Sequence, residues 1–171
     1  MNKIIIYCHG YGSSKESSKV HLLSQAKDAQ CIAFDIDIDP MISVPRLKQQ
    51  ISDCLCRYPN AKPVIVGTSL GGWYAAKMAA IFKCRSVIFN PSINPKTSLL
   101  KYGISQVICD HYENFEFNQD ATYFIALDDH VIDHANLLST LSARGHIPIR
   151  ATGGHRFHEN FNLVIEHLSE I

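Results

Sequence analysis

The chain has 171 residues, of which 46% are hydrophobic and 19% are charged, and its formal net charge is zero. This balance is ordinary for one globular domain, and it excludes a disordered, collagen-like or coiled-coil chain. The charged residues show no basic excess, with 16 Lys and Arg against 16 Asp and Glu. We therefore expect no sequence-independent binding to nucleic acid and no attachment to an anionic membrane surface.

Cysteine usage and apolar runs indicate the cellular compartment. The apolar run at residues 4–8 is too short for the core of a secretory signal, and no run approaches the length of a membrane span. Most of the six cysteines lie in apolar stretches, and Cys54 and Cys56 lack the second cysteine pair that a zinc site requires. We therefore expect a cytoplasmic protein with reduced thiols.

Short buried strands and helices alternate along the chain. The predicted strands cover residues 4–8, 31–36, 64–66, 86–89, 123–127 and 147–149. The predicted helices cover residues 17–28, 44–58, 73–82 and 161–168. A further helix begins after Asp133, which caps it, and ends at Gly145. Pro40 and Pro45 are assigned to the loop before the second helix. Such alternation predicts a single α/β domain over residues 1–171, with about six parallel strands ordered 2-1-3-4-5-6 and helices on both faces.

The loop after the third predicted strand has the sequence Gly-Thr-Ser-Leu-Gly at residues 67–71. This matches the nucleophile pattern G-x-S-x-G, and it lies where that pattern requires, between a buried strand and a helix. We expect a sharp turn that exposes the hydroxyl of Ser69, because glycines two positions away leave room for it. The backbone N–H of Leu70, at the start of the following helix, is a candidate oxyanion donor. The alternative is a generic glycine-rich turn.

The loop after the first predicted strand is His-Gly-Tyr-Gly at residues 9–12. In α/β-hydrolases a loop at this place supplies the second oxyanion N–H, which makes the backbone of Tyr11 a candidate and leaves His9 a structural residue. A phosphate-binding loop is the rival interpretation. It fails because Lys15 stands where the dinucleotide fingerprint requires a third glycine, and because the P-loop spacing is absent.

A serine nucleophile needs a histidine base and a carboxylate that orients the histidine. Among nine histidines, His155 follows the last predicted strand and is favoured over His158, at the start of the last helix. Asp128 and Asp129 both follow the fifth strand and are both candidates for the acid. The order nucleophile, acid, base is typical of α/β-hydrolases. A metal site built from the carboxylates and imidazoles of residues 128–134 is a weaker alternative.

Characteristic motifs occur in five segments, at residues 9–11, 67–75, 89–91, 129–133 and 155–157. Over essentially the whole chain, the sequence resembles the YqiA/YcfP-like family of small bacterial α/β-hydrolases, whose members are regarded as esterases. The resemblance implies a minimal α/β-hydrolase fold that lacks the first two strands of larger members. It also implies a catalytic triad of Ser69, Asp129 and His155.

We predict hydrolysis of a small-molecule carboxylic ester or thioester through an acyl-enzyme, without a metal or organic cofactor. Ser69 attacks the acyl carbon, His155 takes and later returns its proton, and Asp129 fixes the imidazole tautomer. The N–H groups of Tyr11 and Leu70 stabilise the oxyanion. An acyltransferase or thioesterase acting on carrier-bound acyl groups would use the same triad, and a non-catalytic binding protein on a hydrolase scaffold is a third possibility. The oligomeric state is left open.

Residues 91–120 show no clean periodicity, although they carry scattered apolar side chains. We expect this segment to form a small cap over the site. Because a small cap leaves a shallow pocket, the expected substrates have short acyl chains.

Overall fold

Six parallel strands form one sheet in the order β2-β1-β3-β4-β5-β6. The structure is a computed structural model that describes residues 3–171. The strands are β1 (Lys3–Cys8), β2 (Ala29–Ala33), β3 (Lys62–Thr68), β4 (Arg85–Phe89), β5 (Ala121–Ala126) and β6 (Ile149–Ala151). The predicted fold class and strand order are confirmed.

The central strands are apolar throughout because both faces of the sheet are covered. β1 lies between β2 and β3, and all six of its residues are buried. Its side chains alternate between the two faces, with Ile4 and Ile6 in one hydrophobic cluster and Ile5 and Tyr7 in the other. The continuous apolar run in the sequence therefore contributes side chains to two separate hydrophobic clusters.

Seven α-helices and one 3₁₀ helix pack around the described part of the sheet. They are α1 (Ser18–Leu23), α2 (Pro40–Arg57), α3 (Leu70–Phe82), α4 (Pro95–Ser98), the 3₁₀ helix Leu99–Tyr102, α5 (Gln106–Asp110), α6 (His134–Ala143) and α7 (Phe161–Glu170). α2, α3 and α6 contribute to the first cluster, whereas α1 and α7 contribute to the second. No helix within residues 3–171 is both long enough and apolar enough to cross a membrane.

The placement of Pro40 and Pro45 in a loop is wrong. α2 begins at Pro40, and the carboxylate of Asp39 caps it by accepting a hydrogen bond from the Met41 N–H. Proline suits the first helical position, because its missing N–H has no partner there and its ring already holds a helical φ. Pro45 lies in the second turn of the helix, where its missing N–H removes one backbone hydrogen bond close to the N-terminal end of the helix.

Most element boundaries differ from the sequence prediction, and those of α1, β2 and β6 are examples. α1 ends at Leu23 instead of residue 28, and β2 covers Ala29–Ala33 instead of residues 31–36. β6 begins at Ile149, one residue after Pro148, and pairs only with β5 at the edge of the sheet. Proline has no N–H to donate to a ladder, so the strand starts after it.

Candidate active site

Ser69 lies in the sharp turn between β3 and α3, with φ 52° and ψ −122°. This backbone conformation is uncommon for a residue with a side chain and costs on the order of 1–3 kcal/mol. The flanking glycines are sterically required: a Cβ at Gly67 would collide with the Gly71 carbonyl oxygen, and a Cβ at Gly71 would collide with the Cys8 carbonyl oxygen. The turn thus has the tight packing that the sequence pattern predicts.

The side chains of Ser69, His155 and Asp129 form one hydrogen-bonded chain. His155 Nε2 lies 3.0 Å from Ser69 Oγ, and His155 Nδ1 lies 2.8 Å from Asp129 Oδ2. With the proton on Nδ1, the imidazole donates to the carboxylate and accepts from the serine hydroxyl. The His155 side chain is 24% exposed and the Asp129 side chain only 1%. The imidazole therefore reaches solvent while the carboxylate beside it is buried.

Hydrogen bonds from His155 and from two backbone N–H groups keep the buried carboxylate of Asp129 ionised. Its Oδ1 accepts hydrogen bonds from Val131 N at 2.7 Å and from Ile132 N at 3.0 Å. Burial acts to raise the pKa of Asp129, but the hydrogen bonds from His155 and from the two backbone groups outweigh it and hold the pKa below its ordinary value.

The neighbouring carboxylate, Asp128, contacts the loop that carries the histidine. Its Oδ1 accepts hydrogen bonds from Gly153 N at 3.1 Å and Gly154 N at 3.0 Å. The N–H of Gly154 and then that of Gly153 lower the pKa of Asp128. Of the two candidate acids, the structure brings Asp129 to the imidazole and Asp128 to the backbone just before His155.

Asn90 is a further residue of the site, and sequence reasoning used it only as part of the family resemblance. It follows β4 with φ 45° and is 1% exposed. Its Oδ1 accepts from Ala126 N at 2.8 Å, and its Nδ2 donates to the carbonyl oxygens of Gly154 at 3.0 Å and His155 at 3.2 Å. The signal that could have found it is a polar side chain directly after a buried strand, at the edge where ligands bind in such sheets.

The two candidate oxyanion donors lie beside the serine. Tyr11, Ser69 and Leu70 line the same cavity, and a Cβ at Gly10 would lie 3.4 Å from Ser69 Cβ. Within residues 3–171, no backbone acceptor accepts a hydrogen bond from the N–H of Tyr11 or of Leu70. Neither N–H group is therefore engaged by the backbone beside the serine.

His9 fixes the loop that carries Tyr11. The residue is 6% exposed, its Nε2 accepts from Ile36 N at 3.2 Å, and its Nδ1 lies 3.0 Å from the Gly10 carbonyl oxygen. Both ring nitrogens are engaged by the backbone, so the structural role predicted for His9 agrees with its contacts.

Two cavities meet at Ser69 and His155. The first has a volume of about 310 Å³ and is polar, with Ser13, Ser17, Ser18, Lys19 and His158 in its wall. The second has a volume of about 330 Å³ and is more apolar, with Leu70, Leu99, Tyr102, Val131 and Ile132 in its wall. Tyr11 and Arg156 line both cavities.

The described residues do not form the metal site that was considered for residues 128–134. Across residues 3–171, no three His, Cys, Asp or Glu side chains are grouped closely enough to hold a metal ion. Asp128 and Asp129 are directed to backbone N–H groups and to His155.

The strand order and the strained serine turn define the α/β-hydrolase fold, and solved structures agree. A protein of the alpha/beta hydrolase superfamily from Xanthomonas campestris matches with a TM-score of 0.74 and 16% identity, over 99% of this chain and 97% of that one. An esterase from Pyrococcus furiosus matches with a TM-score of 0.76 and 15% identity, over 98% of this chain and 80% of that one. At these identities the similarity shows the fold alone.

The chain belongs to UPF0227, described as an uncharacterised protein family, whose family model matches residues 4–140. This confirms the resemblance seen in the sequence. The match includes Ser69 and Asp129 and ends before His155. A UPF0227 protein from Shewanella sediminis is 24% identical over 102 residues, which are 57% of this chain and 55% of the relative. One from Pectobacterium carotovorum is 25% identical over 99 residues, 56% of this chain and 54% of the relative. The chain therefore matches about half the length of these relatives.

Proposed function

We propose that this protein is a serine hydrolase that cleaves a carboxylic ester or thioester through an acyl-enzyme. The observation that carries the proposal is the hydrogen-bonded chain from Ser69 Oγ through His155 to the buried Asp129. Further support comes from the serine's strained backbone and from the hydrolase fold of the solved structures that resemble this chain. Side chains that served only for packing would not need a serine hydroxyl, an imidazole and a carboxylate to be hydrogen-bonded in this order.

Each proposed step uses a group at the site. The Oγ of Ser69 bonds to the acyl carbon while its proton passes to Nε2 of His155, and Asp129 stabilises the imidazolium that forms. The N–H groups of Tyr11 and Leu70 donate to the oxyanion of the tetrahedral intermediate. The intermediate then expels the alcohol or thiol, which takes the proton from His155. A water molecule, deprotonated by the same imidazole, attacks the acyl-enzyme and releases the acid.

The proposal treats residues 1–171 as one catalytic domain, with residues 91–120 as its small cap. Leu99 and Tyr102 support the cap assignment, because they project from this segment into the wall of the second cavity. We also propose a cytoplasmic location, which the free thiols of all six cysteines support.

A fluorophosphonate probe tests the nucleophile directly, because it bonds covalently to an activated serine. We expect labelling of the wild-type protein at Ser69, and none in Ser69→Ala. The same variant should lose turnover of 4-nitrophenyl butyrate by about 10⁴-fold, since triad members act as a unit. Ser52→Ala in α2 is the control and should be labelled normally, because Ser52 lines neither cavity at the site. An unlabelled wild-type protein would instead support the non-catalytic binding scaffold.

A further inference from the structure

Lys19 is a buried cation that lacks an acidic partner in the described part of the chain. It is 9% exposed, and none of the ion pairs among residues 3–171 includes it. Burial and then the charge of Arg156 lower its pKa. Most of the side chain is out of water, but the ammonium is not among the fully enclosed polar atoms, so the charge is presented to the cavity that Lys19 lines without a carboxylate to neutralise it.

The surroundings of Lys19 favour an anion. Lys19, Arg156 and His158 all line the first cavity, which opens onto Ser69, and no carboxylate of the described residues lines it. Burial, and then the charges of Lys19 and Arg156, lower the pKa of His158. The charges of Lys19 and Arg156 therefore repel each other, and a bound anion would relieve that repulsion. The hydroxyls of Ser13, Ser17 and Ser18 lie in the same wall and can donate further hydrogen bonds.

The second cavity has the opposite chemistry. Its wall includes Leu70, Leu99 and Ile132, which suit an apolar group. Because Ser69 and His155 lie in the walls of both cavities, a bond cleaved there would have one substituent in each. The arrangement fits a substrate that is apolar on one side of the reacting carbonyl and anionic on the other.

Resting on the proposed hydrolase function, we propose that the substrate carries a carboxylate or phosphate group that binds in the first cavity between Lys19 and Arg156. The Lys19 ammonium supplies one positive charge in the wall of the first cavity. The Arg156 guanidinium, which is exposed and borders both cavities, can donate two parallel hydrogen bonds to either kind of anion. The two residues would thus select the substrate by charge.

Two matched pairs of esters test the selection by turnover. One pair places the charge on the acyl side, with 4-nitrophenyl hydrogen glutarate against 4-nitrophenyl pentanoate. The other places it on the alcohol side, with 4-butyryloxybenzoate against its methyl ester. In one pair the anionic ester should have the higher kcat/KM by about tenfold or more, as expected for a desolvated charge pair. The pair that shows the preference identifies the half of the substrate that occupies the first cavity.

Three variants test whether the preference for the anionic ester arises in the first cavity. Lys19→Met and Arg156→Gln should each abolish most of the preference while the neutral ester is still hydrolysed, which also shows that the variants fold. Lys48→Met, an exposed lysine on α2, makes the same change in net charge and should retain the preference. A wild-type protein with no preference in either pair, or an equal loss in Lys48→Met, would overturn the proposal.

A binding measurement separates this proposal from the hydrolase proposal. Glutarate and inorganic phosphate are titrated by calorimetry into Ser69→Ala, which cannot turn over, and into Ser69→Ala combined with Lys19→Met. We expect binding of at least one anion to the first protein and at least tenfold weaker binding to the second. The anion that binds more tightly identifies the chemical group. Binding without labelling or turnover in the wild type would contradict the hydrolase alone, whereas turnover without anion binding would contradict the anion site alone.

Discussion

Adjacent carboxylates at residues 128 and 129 contact different parts of the site. Asp129 is buried against the His155 imidazole, while Asp128 accepts the N–H groups of Gly153 and Gly154. Both residues lie in the turn that follows β5, where the Asp129 N–H donates to the Ala126 carbonyl oxygen, and this turn directs the two side chains to different groups. The spacing of the sequence could not choose between them, whereas the family resemblance favoured Asp129.

Replacing each carboxylate by its amide should separate their roles. Asp129→Asn should lower kcat/KM for 4-nitrophenyl butyrate by about 10⁴-fold, because an amide no longer fixes the proton on the imidazole nitrogen that faces it. Asp128→Asn keeps an oxygen that can accept from the Gly154 N–H, and should cost less than about tenfold. Steady-state kinetics on the two variants checks this expectation. Equal, mild losses would show that the acid is supplied from elsewhere.

Asn90 illustrates what residue patterns leave out. Like Ser69, it has a positive φ, and its side chain joins the end of β5 to the loop that carries His155. Asparagine tolerates this backbone region better than most residues do. The sequence predicts that a polar residue lies at this edge of the sheet, but it cannot predict which backbone groups that residue contacts, because those groups come from residues 126, 154 and 155.

β1 and α3 were predictable from the sequence because each keeps one burial pattern along its whole length. β1 is buried at every residue, and the nine buried residues of α3 match its nearly continuous apolar sequence. The helices of residues 91–120 were not predictable. α4 has four residues and α5 has five, so neither completes the two turns over which a helical periodicity can be recognised.

The segment of residues 91–120 packs mainly against the core. Leu99, Cys109, Tyr112 and Phe115 are buried in the first hydrophobic cluster. Tyr102 is 53% exposed, and its ring lies 5.7 Å from that of Tyr11 across the mouth of the site. A segment anchored in this way can border a pocket without enclosing it.

A shallow apolar cavity should favour short acyl chains. Each buried methylene contributes about 0.8 kcal/mol, which is roughly a fourfold gain in kcat/KM while the cavity fills. Further methylenes reach solvent and gain no burial, while ordering them beside the protein costs conformational entropy, so kcat/KM on 4-nitrophenyl esters should peak at short chains and then fall. A series from acetate to palmitate measures this. A maximum at palmitate would show that residues 91–120 form an acyl tunnel.

At the scale of the whole molecule, the site depends on the complete sheet. Its groups range from Tyr11 after β1 to His155 after β6, and parallel strands bring all the intervening loops to one edge. Sequence order therefore predicted which loops meet. The distances within the hydrogen-bonded chain depend on the packing of both cores, which no local pattern encodes.

Stability should fall in acid because of Asp128 and Asp129. Both have a lowered pKa in the folded protein, whereas an unfolded aspartate titrates near its ordinary value of about 3.9. The unfolded chain therefore binds more protons as the pH falls. The stabilising contribution of each carboxylate is fully present above its unfolded pKa and is lost as the pH falls through its folded pKa. Asp128→Asn and Asp129→Asn remove that titration.

We therefore expect the free energy of unfolding to fall less between pH 6 and pH 3 in each of these variants than in the wild-type protein. Urea denaturation at a series of pH values measures the difference. Asp53→Asn on α2 is the control, because Asp53 is exposed and its carboxylate accepts one hydrogen bond from the Gln49 side chain. It should follow the wild-type profile. If all three variants follow it, the hydrogen bonds to Asp128 and Asp129 persist when the carboxylates are protonated, and the acid sensitivity of the fold lies in other groups.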